Sequence, residues 1–199
     1  MKLCLYQGTF NPIHNAHLEA AKYVLKNFDF DKILFIPAYK PPHKECSMAT
    51  KELSLHRLEM VRLAVKDIKG FEVSDIEFKR EEPSYTFYTI KKLYEMFDIE
   101  GKINFIIGTD AFSQIESWHK AEELKELIDF ILFYRDNSYD EILFNSIMKK
   151  GYNFKLSAHP FKDISSSQIR ELIMQNKPIY DIVPLEVAKY IEKNELYKH

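Results

Sequence analysis

The sequence lacks the features that mark secreted, membrane-spanning and multi-domain chains. Its 199 residues include two cysteines, Cys4 and Cys46, which are too few for a disulfide framework, so free thiols in a reducing compartment are expected. There is no signal-peptide pattern, and no apolar run approaches the roughly 20 residues that cross a bilayer. With only five glycines, flexible hinges between domains are not expected. The sequence therefore predicts one cytoplasmic domain with no membrane partner.

The chain also has no large excess of positive or negative charge. The chain has 28 Lys and Arg against 30 Asp and Glu, a formal net charge of −2. No long-range field attracts nucleic acid, so nucleic acid is not expected as a partner. An anionic ligand must instead be held by a local cluster of donors. The sequence leaves open whether the chain forms a homo-oligomer.

What the sequence does have is an alternation of short apolar runs and helical patterns. Strands are predicted at 2–6, 32–38, 71–75, 103–110, 129–135 and 153–158. Helices are predicted at 17–28, 51–68, 84–97 (opened by a Ser84 cap), 166–176 and 185–196. The tyrosines and phenylalanines of 85–97 and 130–134 are assigned to the core. Such alternation is typical of parallel strands joined by right-handed crossovers.

The fold class that follows is α/β. We expect a single Rossmann-like, doubly wound parallel sheet over residues 1–199, with helices on both faces and a small helical C-terminal end from about 165 to 199. In such sheets ligands bind at the carboxyl ends of the strands. The loops to inspect are therefore 7–15, 38–50, 75–86 and 108–119.

The first of these loops contains "GTFNPIHNAHLEAA", in which His14 and His17 stand three residues apart. On the first turn of a helix they share one face. A helix N-terminus offers unpaired N–H groups and a partial positive charge, which suit a phosphate. The histidines are thus candidates for phosphate contacts. The alternative is that they only solvate a helix start, and a zinc site is disfavoured because no third ligand stands nearby.

Four further residues have two interpretations each. Lys44, after two prolines, can place an ammonium near a triphosphate or remain on the surface. Arg170, after the serines of "ISSSQIR", can donate to phosphate oxygens or follow a capped helix start. Trp118 can stack on a flat ring or pack in the core. Asp110 can accept hydrogen bonds from ribose hydroxyls or cap the next helix.

Seven segments together resemble the nucleotidyltransferases with an HxGH signature, and among them the nicotinate-nucleotide adenylyltransferases. They are "GTFNPIH" (8–14), "PAYKPPHK" (37–44), "HRLEMVRLA" (56–64), "PSYTFYTI" (83–90), "FIIGTDAF" (105–112) with Trp118, "ISSSQIR" (164–170) and "VPLEVAKYIEKNELY" (183–197). Each segment alone is a weak signal. Their common order and spacing carry the identification.

The resemblance implies transfer of AMP from ATP to nicotinate mononucleotide, with Mg²⁺ as cofactor and pyrophosphate as the leaving group. It implies catalytic roles for His14, His17, Lys44 and Arg170. The ATP-binding residues that it implies are Gly8, Thr9, Phe10, His14, His17, Gly108, Asp110, Ile164, Ser165, Ser166 and Arg170. The substrate-binding residues that it implies are Lys44, Ser84, Tyr85, Thr86 and Trp118. Because the mononucleotide phosphate is already an anionic nucleophile, such a reaction needs positioning and charge neutralisation rather than a covalent enzyme nucleophile.

Three other functions compete with this one. A nucleotidyltransferase acting on nicotinamide mononucleotide, phosphopantetheine or glycerol phosphate would share the histidine pair. The phosphopantetheine and glycerol phosphate enzymes are disfavoured by "SYT", Trp118 and the C-terminal pattern. The catalytic half of a class I aminoacyl-tRNA synthetase would need a KMSKS-like loop, where this chain has "ISSSQIR". An inactive nucleotide sensor is disfavoured because both histidines, Lys44 and Arg170 are present.

The chain departs from the family pattern at the first loop. Gln7 stands where the family usually has glycine, which adds a side chain at the strand end. Asn11 stands where the family often has aspartate, which removes a charge. Ala16 replaces the glycine between the histidines and adds one methyl group beneath the nucleotide. Ser167, in place of the usual threonine, keeps the hydroxyl.

Overall fold

The structure, a computed structural model that describes residues 1–41, 51–80, 82–133, 140–157 and 164–198, is built on a parallel sheet. Its strands are β1 (Leu3–Gly8), β2 (Lys32–Pro37), β3 (Phe71–Val73), β4 (Ile103–Gly108), β5 (Ile128–Phe133) and β6 (Phe154–Ser157). They lie in the order β3-β2-β1-β4-β5-β6, and every neighbouring pair is parallel. The chain winds outward in both directions from β1, so the predicted doubly wound α/β sheet is confirmed.

Helices cover both faces of this sheet. They are α1 (Asn15–Asn27), α2 (Lys51–Val65), α3 (Thr86–Met96), α4 (Thr109–Phe112), α5 (Ala121–Leu124), α6 (Glu141–Lys149), α7 (Ser166–Met174) and α8 (Leu185–Lys193). Short 3₁₀ turns lie at Ile76–Lys79 and Ile115–Ser117. No helix in the described ranges is both long and apolar enough to cross a membrane.

The alternation of side chains along each strand divides the core into two layers. Cys4 and Phe35 point into one layer, which also holds buried residues of α1, α2, α7 and α8. Leu5 and Ile36 point into the other, with buried residues of α3 and α6. Both faces of the strands are therefore apolar, as a parallel sheet between helices requires. Cys4 is a buried free thiol, and Cys46 lies outside the described residues.

Two helical details differ from the sequence-based expectation. Helix α3 begins at Thr86, and its cap position is Tyr85 rather than Ser84. The prediction of a Ser84 cap is wrong because the Ser84 hydroxyl accepts a hydrogen bond from the Lys40 N–H instead, at 2.9 Å. Helix α6 was not predicted, although Asp140 caps it by accepting from the Leu143 N–H. The outer ends of the strands predicted at 129–135 and 153–158 lie outside the described residues.

The sheet opens between its two central strands. The pairing of β1 with β4 runs only over Cys4–Asn104 and Leu5–Phe105, whereas β1 stays paired with β2 to its last residue, Gly8. Beyond Leu5 the strands diverge toward their carboxyl ends. This is the switch point of the doubly wound sheet, where a crevice for a ligand is expected.

Candidate active site

A cavity of about 710 Å³ lies in this crevice. Its walls are the carboxyl ends of β1 and β4, the loops that follow them, the N-terminal part of α1 and the start of α3. Eleven of the residues assigned to the site from the sequence line it: Gly8, Thr9, Phe10, His14, His17, Ser84, Tyr85, Thr86, Gly108, Asp110 and Trp118. Lys44, predicted for both catalysis and substrate binding, lies outside the described residues.

The loop from Gly8 to His14 forms the cavity wall beside β1. Phe10 turns the chain with a φ of 48°, a left-handed conformation that few residues other than glycine adopt. Its ring packs against Gly8 so closely that a Cβ at Gly8 would lie 3.2 Å from the ring. Glycine at this position therefore allows the loop to fold back on the strand end.

His14 and His17 are joined to each other at the start of α1. His14 is the N-cap and is 1% exposed. Its backbone N–H donates to His17 Nδ1 at 3.2 Å, and the two rings stack with their centroids 3.7 Å apart. Because Nδ1 of His17 accepts this bond, the proton of the neutral ring lies on Nε2. His17 therefore presents an N–H donor at a helix N-terminus in the cavity wall.

A buried arginine on α2 braces the same loop from behind. The Arg57 guanidinium is 0% exposed and donates to the Thr9 carbonyl at 2.6 Å, to the Ser54 hydroxyl at 2.9 Å and to the Tyr39 carbonyl at 3.3 Å. Burial lowers the pKa of Arg57 to about 10, so the group remains charged at neutral pH. The guanidinium group of Arg57 thus binds the carbonyl oxygens of Thr9 and Tyr39. These hydrogen bonds fix the loop after β1 against the segment after β2.

The start of α7 meets the loop from the other side. The Ser166 hydroxyl donates to the Pro12 carbonyl at 2.9 Å, and Arg170 Nη1 donates to the Asn11 carbonyl at 2.8 Å. Ser165 is the N-cap of α7, where its hydroxyl accepts from the Gln168 N–H. Ile164, Ser165, Ser166 and Arg170 do not line the cavity. Ser166 and Arg170 instead bond to the backbone of the loop that does.

The C-terminal segment adds a third support to the loop. Tyr197 donates its hydroxyl to Asn11 Oδ1 at 2.6 Å, and Asn11 is 3% exposed. Burial raises the pKa of Tyr197 well above its ordinary value, which keeps the phenol protonated as a donor. Asn11, a departure from the family pattern, therefore has a structural partner in this chain.

The opposite wall of the cavity is aromatic. Trp118 packs edge-on against Phe105, with ring centroids 6.0 Å apart, and lines the cavity as well. The two interpretations of Trp118, stacking and core packing, are thus compatible. His119 stacks on Tyr85 at 4.4 Å between centroids and hydrogen-bonds the Tyr88 hydroxyl at 3.1 Å. Ser84, Tyr85 and Thr86 continue this wall up to the first turn of α3.

Asp110 lies in the first turn of α4, whose cap position is Gly108. The N-cap alternative for Asp110 is therefore wrong, and Asp110 lines the cavity. Sequence reasoning missed four residues around this site: Arg57, Glu77, His119 and Tyr197. His119 could have been found by its place beside Trp118. Arg57 and Tyr197 lie in the quoted segments 56–64 and 183–197, but the segments do not reveal what these side chains bond. The bonds of Arg57, Glu77 and Tyr197 to the loop and to β1 join residues that are distant in the sequence.

Within the described ranges, no group of three or more His, Cys, Asp and Glu side chains is placed to hold a metal ion. The donors that face the cavity from this loop are imidazoles and the N–H groups of the first turn of α1, and such donors suit phosphate oxygens. The guanidinium groups of Arg57 and Arg170 bond to backbone carbonyls behind the loop.

Comparison with known proteins places the chain among nucleotidyltransferases. Residues 5–172 match the Cytidylyltransferase-like family. The chain is 36% identical over 197 residues to the nicotinate-nucleotide adenylyltransferase of Bacillus subtilis, covering 99% of this chain and 98% of that protein. It is 38% identical over 203 residues to a protein of Caldicellulosiruptor saccharolyticus named "Probable nicotinate-nucleotide adenylyltransferase", with both chains fully covered.

A solved structure supports the fold. The nicotinic acid mononucleotide adenylyltransferase of Plasmodium falciparum, complexed with NaAD, superposes with a TM-score of 0.81 at 24% identity. The match covers 98% of this chain and 97% of that one. The arrangement of strands and helices is therefore shared over nearly the whole length.

Proposed function

Because the chain belongs to the Cytidylyltransferase-like family and, within it, to the nicotinate-nucleotide adenylyltransferases, we propose that it transfers AMP from ATP to nicotinate mononucleotide. The products are nicotinate adenine dinucleotide and pyrophosphate. The observation that carries the proposal is one cavity with two unlike walls. A histidine pair at a helix N-terminus forms one wall, and Trp118 with the start of α3 forms the other.

The reaction is an in-line displacement at the α-phosphorus of ATP. A phosphate oxygen of the mononucleotide forms the new P–O bond, and the bond to the bridging oxygen of the β-phosphate breaks. The electron pair of that bond leaves with pyrophosphate, so negative charge accumulates on the departing group. The chain has to orient the two nucleotides and neutralise this charge.

The histidine pair supplies the neutralising donors in this proposal. His17 Nε2–H donates to the phosphate oxygens, and the N–H groups of the first turn of α1 add their partial positive charge. Arg170 and Ser166 act from behind the loop, through the carbonyls of Asn11 and Pro12. Lys44, which the family resemblance assigns to the same site, completes the proposed set of donors.

The aromatic wall binds the acceptor in this proposal. The indole of Trp118 offers a flat face for the pyridine ring. The N–H groups at the start of α3, near Tyr85 and Thr86, are donors that suit the nicotinate carboxylate. For ATP, the proposal assigns ribose contacts to Asp110, whose carboxylate can accept hydrogen bonds from hydroxyls, and close approach of the nucleotide to the backbone at Gly108, which lines the cavity too.

Magnesium enters this reaction as part of the substrate. Mg²⁺ bound to ATP takes its ligands from phosphate oxygens and water, and it needs few protein side chains. The donor set around the loop is consistent with this arrangement.

Product analysis tests the proposal. The protein is incubated with ATP, Mg²⁺ and nicotinate mononucleotide, and the mixture is analysed by mass spectrometry together with a pyrophosphate assay. We expect equal amounts of the dinucleotide and pyrophosphate. Release of pyrophosphate without the dinucleotide, or no release at all, would contradict the proposal.

A further inference from the structure

A fully buried carboxylate lies behind the cavity wall without lining the cavity. Glu77, on the 3₁₀ turn Ile76–Lys79, is 0% exposed. Four donors converge on it. They are Gln7 Nε2 at 2.5 Å, the Thr89 hydroxyl at 2.6 Å, the Tyr39 N–H at 3.2 Å and Arg80 Nη2 at 3.3 Å.

Three of these donors lie on three different segments that border the cavity. Gln7 is the next-to-last residue of β1 and lines the cavity. Tyr39 follows β2, one residue after Ala38, which also lines it. Thr89 lies on α3, and its hydroxyl accepts a hydrogen bond from Arg80 at 2.7 Å. Glu77 is therefore a group to which all three segments are hydrogen-bonded.

The segment at the start of α3 is tied in more than one way. Arg80 Nη2 lies 3.4 Å from the Tyr85 carbonyl, which connects the Glu77 group to the residue before the helix. Ser84 and Lys40 exchange two further bonds: the Lys40 N–H donates to the Ser84 hydroxyl, and the Ser84 N–H donates to the Lys40 carbonyl, each at 2.9 Å. The segments 38–41 and 83–86 thus form one frame around the acceptor side of the cavity.

The charge of Glu77 is needed for this arrangement. An ionised carboxylate only accepts hydrogen bonds, so its two oxygens can satisfy four converging donors. Arg80 supplies a compensating charge, which a buried carboxylate requires. The loop on the ATP side is held by other groups, namely Arg57, Arg170 and Tyr197.

We propose that Glu77 is a positioning residue for the acceptor mononucleotide. It holds Gln7, Tyr39 and the start of α3 in the arrangement that receives the acceptor, while the ATP loop keeps its own supports. The inference rests on the proposed function, since it assigns the wall at 83–86 to the acceptor.

The substitution Glu77→Gln tests the role with little change of shape. The amide oxygen replaces Oε1 and still accepts hydrogen bonds from Gln7 and Thr89. The amide nitrogen replaces Oε2, so two donors, the amide N–H and the Tyr39 N–H, face each other and that hydrogen bond is lost. The Tyr39 carbonyl remains held by Arg57 and Ser54. We expect KM for nicotinate mononucleotide to rise about tenfold, the size of effect that losing a hydrogen bond to a charged group produces. KM for ATP should change by less than about twofold on the same reasoning.

The matched control is Glu72→Gln. Glu72 lies on neighbouring β3, where its exposed carboxylate pairs with Lys32 at 2.7 Å, away from the cavity. KM for nicotinate mononucleotide and KM for ATP should both stay at the wild-type values.

A second pair of variants, at Thr89, tests the same inference if Glu77→Gln does not fold. Thr89→Val removes the hydroxyl at nearly constant volume and should raise KM for the mononucleotide, whereas Thr89→Ser should restore it.

The outcomes separate this inference from the proposed function. If wild-type protein forms no dinucleotide, the proposed function fails and the inference fails with it. If wild-type protein is active, a rise confined to KM for the mononucleotide supports the role of Glu77. Equal rises in both KM values, an unchanged KM for the mononucleotide, or failure of Thr89→Ser to restore it would overturn the inference while leaving the proposed function intact.

Discussion

The side chain of His17 accepts a hydrogen bond from the backbone of His14, and the two rings stack 3.7 Å apart. From the sequence, a helix start and a phosphate site were competing interpretations of this pair. The two interpretations are compatible, because Nδ1 of His17 accepts the bond at the start of α1 while the proton of the neutral ring remains on Nε2. One side chain can therefore serve the helix with one nitrogen and the substrate with the other.

The two nitrogens of His17 can be tested separately. In His17→Asn the side-chain oxygen occupies roughly the place of Nδ1 and keeps the bond to the His14 N–H, but the Nε2 donor is lost. We expect kcat to fall by about a hundredfold or more, as when one transition-state donor is removed, with little change in thermal stability. His17→Ala should lose both activity and about 1 kcal/mol of stability, the value of a helix cap. Near-normal turnover in His17→Asn would contradict the catalytic role.

Tyr197 should stabilise the loop through Asn11. Tyr197→Phe removes the phenol hydroxyl and leaves the buried Oδ1 of Asn11 without that donor, which costs about 1–3 kcal/mol. We expect a lower melting temperature and a higher KM for ATP. The control is Tyr180→Phe, which removes an exposed hydroxyl bonded to Glu192 and should change stability by less than about 0.5 kcal/mol. Equal effects of the two substitutions would argue against a specific role for Tyr197.

Ala16 lies in the first turn of α1 and lines the cavity. Replacing it with glycine removes the methyl group and lowers helix propensity by about 1 kcal/mol. Ala16→Gly should therefore reduce thermal stability, change KM for ATP modestly and leave kcat nearly unchanged. A large gain in kcat would mean that the methyl group obstructs the transition state.

Trp118 provides an optical probe of the acceptor wall, because the chain has one tryptophan. If the pyridine ring stacks on the indole, titration with nicotinate mononucleotide should quench the intrinsic fluorescence in a saturable way. ATP alone should cause a smaller change. Trp118→Phe should raise KM for the mononucleotide more than KM for ATP. Equal quenching by both nucleotides would contradict the assignment of this wall.

The sequence predicted the order of the elements because the strands are continuous apolar runs and the helices have a clear periodicity. It also predicted that Phe130 and Phe133 are in the core, and both are buried. The same prediction is wrong for Tyr88, which is 39% exposed beside His119. In the sequence, an aromatic residue beside a cavity looks the same as one in the core, although it is less buried. The start of α3 was misplaced because Ser84 bonds to Lys40, a contact that the local sequence does not reveal.

Most of the site residues named from the sequence line the cavity, whereas two of the groups that hold the cavity wall, Arg57 and Glu77, were not named. His14, His17 and Trp118 follow strand ends, where chemistry in such a sheet is expected. Arg57 and Glu77 act across 48 and 70 residues of sequence, on Thr9 and Gln7. Their roles depend on tertiary packing, which a motif does not encode.

The proposed reaction is tested most directly by comparing acceptors. Pyrophosphate release is followed with ATP and Mg²⁺ while nicotinate mononucleotide, nicotinamide mononucleotide or phosphopantetheine is supplied as the acceptor, and kcat/KM is compared. We predict that nicotinate mononucleotide gives the highest kcat/KM and that phosphopantetheine gives no release above background. Activity with phosphopantetheine alone would contradict the account.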